Sequence, residues 1–186
     1  MTALLELPAI RQRVARISVE AYHRLGELPV ELLRGTIIEK MSKSPLHQFC
    51  ADRMREILSR QISPSWIIRQ EGPLTFVDSE PEPDLAVVRG PAELYRSAHP
   101  STAELVVEIA VSSREIDRVK AAIYGEAGVK EYWILCPEER EVEVFRQAGP
   151  SGYAERFIVS APAILECAGL VDVRVNLADL FGASAI

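Results

Sequence analysis

A glutamate stands in the middle of the most apolar run of this chain. The run is LVVEIAV, Leu105–Val111, with Glu108 at its centre. A stretch this continuous reads as a strand covered on both faces, and therefore as a central member of its sheet. An ionised carboxylate placed there loses several kcal/mol of hydration unless a cation or hydrogen-bond donors meet it. Glu108 thus calls for a partner from another element, and the rest of the chain is read with that demand in view.

The nearest element able to supply one is the helix that follows. Ser112 with Glu115 has capping-box spacing, which predicts a helix running to about Ala127 and closed by Gly128. Turned at about 100° per residue, Ile116, Val119, Ile123 and Ala127 form the apolar face, and Lys120 falls about 40° from Ile116, on the buried side. Arg114 and Arg118 project to the opposite, water-facing side. A lysine aimed inward is costly unless it reaches an anion, and only a short turn separates this helix from the Glu108 strand. Asp117, three residues before Lys120, reads as its surface partner. Tyr124 packs over the same region or rims the core.

A second carboxylate, Asp84, opens the strand DLAVV directly after Pro83. It follows Asp78, Glu80 and Glu82 with no lysine or arginine before Arg89. Acidic groups lacking counter-ions suit a hard cation such as Mg²⁺, with Mn²⁺ as a substitute. Two carboxylates holding such an ion beside an ammonium make up the equipment for phosphodiester hydrolysis. A buried structural Glu108–Lys120 ion pair is the competing reading, and for Asp84 it is ordinary turn chemistry after a proline.

Elsewhere, Ser18 caps a short helix from Val19 to about Leu25, and Arg34-Gly35 separates two short apolar runs, read as a hairpin or bent strand carrying Glu31. An amphipathic helix of about four turns follows Ser44-Pro45. Strands are predicted around Trp66–Gln70, Leu74–Val77, Asp84–Val88, EYWILC, EVEVFR and YAERFIVS, with NLADLF as a last helical turn. Glu31 reads equally as an exposed strand residue or a member of the site. His47 reads first as a solvent-facing or capping residue at a helix start, with a site contact as the alternative. Gln70 and Glu71 are candidates to line the site from a neighbouring strand, where they resemble ordinary surface polar residues.

The order of elements gives an α/β or α+β layer fold, expected as a single domain over residues 1–186. Within it, 1–17 is an N-terminal arm, 18–147 the core, and 148–186 the C-terminal strands and short helix. The net charge of −6 averages over a basic first part and an acidic remainder. It excludes a uniformly basic nucleic-acid footprint. Phosphate would then rely on a metal and local arginines, with Arg11, Arg13 and Arg16 or the face of Arg53 and Arg60 as candidates. No apolar run approaches the ~18 residues of a membrane span, and no leader pattern opens the chain, so it is expected to be cytoplasmic. The three cysteines, Cys50, Cys136 and Cys167, are far apart and set in apolar sequence, which reads as buried thiols. The phosphate-loop, dinucleotide, zincin and nucleophile-elbow signatures are absent.

Pro83-Asp84, the VVEI of Val106–Ile109 and the DxxK of Asp117–Lys120 together resemble the PD-(D/E)XK nuclease superfamily. More narrowly, ELLRGTIIEKM, SPLHQ, EPDLAVV and LVVEIAVSSREIDRVKAAIYGEAGVKEYWIL are similar to the Uma-type ("Uma two") restriction-endonuclease-like family, from about Ser18 to Arg146. The resemblance implies a restriction-endonuclease-like core, a central mixed sheet flanked by helices. It implies Asp84 and Glu108 as metal ligands, Glu31 as a further acidic member, DNA as substrate, and often a homodimer. One departure stands out: the superfamily's usual lysine, two residues after the second acid, is Ala110 here, and Lys120 would replace it. A catalytically silent domain binding nucleic acid or protein, and a hydrolase of small phosphodiesters, are the alternatives to a metal-dependent DNA endonuclease.

Overall fold

The computed structural model describes residues 16–26 and 28–182, so Arg11 and Arg13 lie outside the described residues. Ser18 accepts from the Ala21 amide and caps α1, Val19–His23. Strands β1 (Val30–Leu33) and β2 (Thr36–Glu39) form an antiparallel hairpin. Arg34 (φ 52°) and Gly35 (φ 74°) make its turn, two left-handed residues whose twist matches that of the paired strands. Ser44 caps α2, Pro45–Ser59, with proline in the first turn, where its missing N–H costs nothing.

A six-stranded mixed sheet follows. Its strands are β3 (Trp66–Gln70), β4 (Leu85–Arg89), β5 (Leu105–Ile109), β6 (Glu131–Cys136), β7 (Glu141–Gly149) and β8 (Gly152–Ser160), in that spatial order. Only β5 and β6 run parallel, because α3 (Arg114–Glu126) carries the chain back between them. The small pair β9 (Ile164–Glu166) and β10 (Arg174–Asn176) and the terminal α4 (Leu177–Phe181) complete the fold.

Alternate residues of β5 serve two cores. Leu105, Val107 and Ile109 pack toward Cys50, Met54 and Leu58 of α2 and Leu177 and Leu180 of α4. Val106 faces the other way, with Ala110, Ala121 and Tyr124 around it. Glu108 shares that second face by the two-residue period.

The structure corrects several expectations. Leu74–Val77 is not a strand, for the backbone there bonds to loops: Leu74 to Pro81, Thr75 to Pro100, and Phe76 to Ser79. Prolines 73, 81 and 83 have no N–H to give to a ladder. The capping box of α3 is replaced by Ser113 at the N-cap, whose hydroxyl donates instead to the Asp117 carboxylate at 2.5 Å. Lys120 and Ile123 are buried as predicted, but the buried face of α3 is turned toward Asp117, Ala121 and Tyr124, leaving Ile116, Val119 and Ala127 only partly covered. Apolar periodicity cannot register a buried aspartate. Arg114 and Arg118 do not simply face water: with Arg156 they hold the fully buried Glu143 carboxylate at 2.6, 2.5 and 2.8 Å. Burial opposes its ionisation, but the three guanidiniums prevail and hold it down at about 2. Arg53 and Arg60 both grip Glu56 of their own helix.

α3 reaches the sheet through a close glycine contact. A Cβ on Gly125 would lie 2.6 Å from the Gly152 carbonyl carbon, and Gly152 itself has φ +99°. Gly125→Ala is therefore expected to destabilise the protein by about 1–3 kcal/mol through overpacking, although alanine is favoured by up to ~1 kcal/mol in a helix interior. Urea unfolding of the two proteins checks this; an alanine variant of equal or greater stability would refute the close-packing account.

Candidate functional site

The register between β4 and β5 pairs Leu85 with Val107, and one step further it sets Asp84 opposite Glu108. Opposed residues of an antiparallel pair share a face. The Asp84 carboxylate is tied to the neighbouring strand, its Oδ2 accepting the Ile109 amide at 2.8 Å. His47 adds a second bond to the same oxygen, Nε2 to Oδ2 at 3.0 Å. Asp84 Oδ1 is left to the cleft, where it meets the Lys43 ammonium at 3.1 Å. Burial opposes ionisation of Asp84, but His47, Lys43 and the Ile109 amide outweigh it, and its pKa is lowered.

Glu108 is held in the same one-sided way. Its Oε1 accepts from Lys120 Nζ at 3.1 Å and from the Tyr124 hydroxyl at 2.9 Å. Its Oε2 has only a long contact, 3.4 Å, from the Asp84 amide. Burial raises the Glu108 pKa well above 4.5; Lys120 counters this, while Asp117, Asp84 and Glu31 add to it.

Lys120 is the hub, 6% exposed. Its Nζ stands 2.9 Å from Glu31 Oε1, 3.1 Å from Glu108 Oε1 and 3.8 Å from Asp117 Oδ1. Burial alone would favour the neutral amine, but the three carboxylates overcome it and raise the pKa, so the ammonium persists. Glu31 reaches this point because the hairpin docks on the acidic link: the Leu32 and Glu80 backbones bond to each other. These groups line a cleft of about 180 Å³, with Lys43, Glu71, Glu82, Ile109 and Ser113 among its walls.

The structure thus brings Asp84, Glu108, Lys120, Glu31 and His47 together and leaves Gln70 out. Gln70 pairs with Leu85 and so points to the α2 face; the next residue, Glu71, is the one that lines the cleft. Glu31 is buried at the hub rather than exposed on its strand. His47 is neither solvent-facing nor a cap, since its side chain is 11% exposed and bonded to Asp84. The cap of α2 comes from Ser44, which bonds the His47 amide. Asp117 is not a surface partner of Lys120 but a buried acid at 3% exposure. Lys43, on the loop between β2 and α2, had no periodic signal to reveal it.

The donor set suits a divalent cation of the hard, oxygen-seeking kind. Each of the two facing carboxylates is anchored by one oxygen and presents the other: Asp84 Oδ1 and Glu108 Oε2. The four innermost carboxylates face two ammonium groups, leaving two negative charges when all are ionised. Among the described residues no three His, Cys, Asp or Glu side chains form a ready-made metal cage. Mg²⁺ does not require one, since it usually binds one or two carboxylates and keeps several waters.

The model of a family described as "Putative restriction endonuclease", Uma2, matches residues 19–178, and the chain belongs to that family. Among solved structures, a crystal structure titled as a putative nuclease from Anabaena variabilis matches with a TM-score of 0.78 at 20% identity, covering 89% of this chain and 97% of that one. At that identity the likeness speaks for the fold. A search of curated proteins gives no match.

Asp117 offers a direct check on the electrostatics. Burial, against the pull of Lys120 and Ser113, moves its pKa from 3.8 up to about 6. A raised acid stabilises the fold while protonated, so its contribution is fully present below the unfolded value and is lost as pH rises through about 6. Without added metal, Asp117→Asn is expected to gain on the parent protein by about 2–3 kcal/mol between pH 4 and 7. Urea titrations at both pH values measure this, and a difference that does not change with pH would contradict it.

Proposed function

We propose that this member of the Uma2 family is a Mg²⁺-dependent endonuclease that hydrolyses DNA phosphodiester bonds, with Asp84 and Glu108 as metal ligands and Lys120 as the assisting cation. One observation carries the reading: two opposed carboxylates on neighbouring strands are each anchored through one oxygen, Asp84 by the Ile109 amide and Glu108 by the buried Lys120 ammonium at 3.1 Å. This leaves Asp84 Oδ1 to the partly exposed Lys43 and Glu108 Oε2 with only a 3.4 Å contact. The family's description and the nuclease title of its structural neighbour supply the substrate class. Mn²⁺ would serve in place of Mg²⁺.

A bound divalent cation would lower the pKa of a coordinated water and withdraw charge from the phosphate. The chain's own groups prepare for this. His47 and the Ile109 amide fix the Asp84 carboxylate, and Tyr124 fixes Glu108. Lys120 supplies a permanent positive charge where negative charge grows on the phosphoryl oxygens. Because it is desolvated, its field acts at short range with little water between. In this reading the chain works as one domain, in the cytoplasm, and as a homodimer when both strands of a duplex are cut.

Plasmid, single-stranded DNA, RNA and bis-p-nitrophenyl phosphate, each with Mg²⁺, Mn²⁺ or EDTA, form the test. Metal-dependent nicking of DNA, abolished by EDTA, is the expected result. Lys120→Met should lower kcat by about 10²–10³, the usual loss for one preorganised charge-stabilising group. Cleavage of the small ester alone would redirect the reading to small phosphodiesters. Absence of metal-dependent cleavage on all four substrates would remove it.

A further inference from the structure

From the contacts of Lys43 we infer that its ammonium is a placeholder for the catalytic cation, exchanged on metal entry and then used to hold the substrate phosphate. The inference rests on the metal-dependent reading above and assigns to that site a phosphate-binding residue and a gate.

Lys43 belongs to the stretch between β2 and α2 that rims the cleft, and its side chain is 33% exposed. It is the neighbour of the one Asp84 oxygen that no backbone or histidine donor holds. Its Nζ lies 3.1 Å from Asp84 Oδ1 and 2.9 Å from Glu71 Oε1. Lys40, on the same stretch, is occupied differently, paired with Glu82. A Mg²⁺ ligand bond is about 2.0–2.1 Å long, so an ion on Asp84 Oδ1 would crowd and repel an ammonium bound to that same oxygen. Lys43 must then leave Asp84. Its flexible stem lets it keep Glu71 alone or swing to the mouth of the cleft.

At the mouth the displaced charge has a natural use. The acidic wall of the cleft repels a phosphodiester, and a lysine freed only after the metal has bound would attract it. One residue then opposes metal binding before the exchange and favours substrate after it. Lys120 cannot be the exchangeable cation, because three carboxylates hold it in place.

The two roles predict effects of opposite sign, which a purely structural lysine would not give. In the full chain, Lys43→Met removes the charge and keeps the stem, whereas Lys43→Arg keeps the charge. Calorimetry with Mn²⁺ alone is expected to show the methionine variant binding the metal about tenfold more tightly than the parent. Anisotropy with a labelled oligonucleotide in Ca²⁺ is expected to show about tenfold weaker binding for the same variant, with arginine restoring most of it. Metal bound by the methionine variant but not by the parent would also support the exchange. Equal metal affinity in the two proteins overturns the placeholder and leaves the nuclease reading intact. Loss of both affinities together also overturns it, showing a lysine that merely positions Asp84. Failure of both proteins to bind any divalent cation overturns both readings at once.

Discussion

One buried ammonium governs the architecture of the cleft. Lys120 lies within 4 Å of carboxylates from three separate elements: Glu31 on β1, Glu108 on β5 and Asp117 one turn earlier on its own helix. Removing the ammonium would leave three carboxylates buried together without a counter-charge, so the cluster depends on Lys120 more than on any one of its acids. The ammonium also explains why a hairpin outside the main sheet matters. β1 pairs only with β2 as a ladder, yet its Glu31 closes the hub, and the Leu32–Glu80 bridge holds it at the right depth.

Around that hub the sheet distributes two kinds of oxygen. Strand pairing gives Asp84 an amide from the neighbouring strand, and α2 adds His47 on the same atom. On Glu108 the helix provides both donors, Lys120 and Tyr124, again on one atom. Of the remaining oxygens, Asp84 Oδ1 meets the Lys43 ammonium and Glu108 Oε2 has only a long contact from the Asp84 amide. A carboxylate enclosed on both oxygens by several guanidiniums is a structural ion pair; one fixed through a single oxygen is oriented, with its other oxygen left to a partly exposed lysine or to a long amide contact. This division separates the cleft from the Glu143 cluster, where Arg114 and Arg118 crowd one oxygen and Arg118 and Arg156 take the other.

The sequence showed those parts of the site that break a pattern. Glu108 interrupts an apolar strand and Lys120 falls on the inner half of an amphipathic helix, so both were readable from hydrophobic period alone. Asp84 came mainly from its place after Pro83 in a family motif, because strand register is decided by pairing that no single strand contains. Asp117 was misread as a surface group, since helical projection treats an acid as a mark of the water side. Gln70 and Glu71 differ by one position, and a one-residue step in a strand reverses the face. Lys43 lies where there is no period at all. The layered α/β character was legible from the order of elements and the central mixed sheet from the family resemblance, while Leu74–Val77 failed because the prolines around it speak against a ladder more strongly than its apolar residues speak for one.

Moving the lysine from strand to helix changes more than one position. At residue 110 a side chain shares the face of Glu108 by the two-residue period, which is where a strand-borne lysine would project. Alanine there is buried against Ala121 and Tyr124, so the small side chain leaves room for α3 to approach β5. That approach delivers Lys120, and with it Asp117 three residues before and Tyr124 four residues after it on the same face. A strand lysine could have supplied the charge alone. The helix supplies the charge, a hydroxyl that orients Glu108 and an acid whose proton depends on pH, so the small side chain at Ala110 is a geometric condition for the arrangement around Lys120.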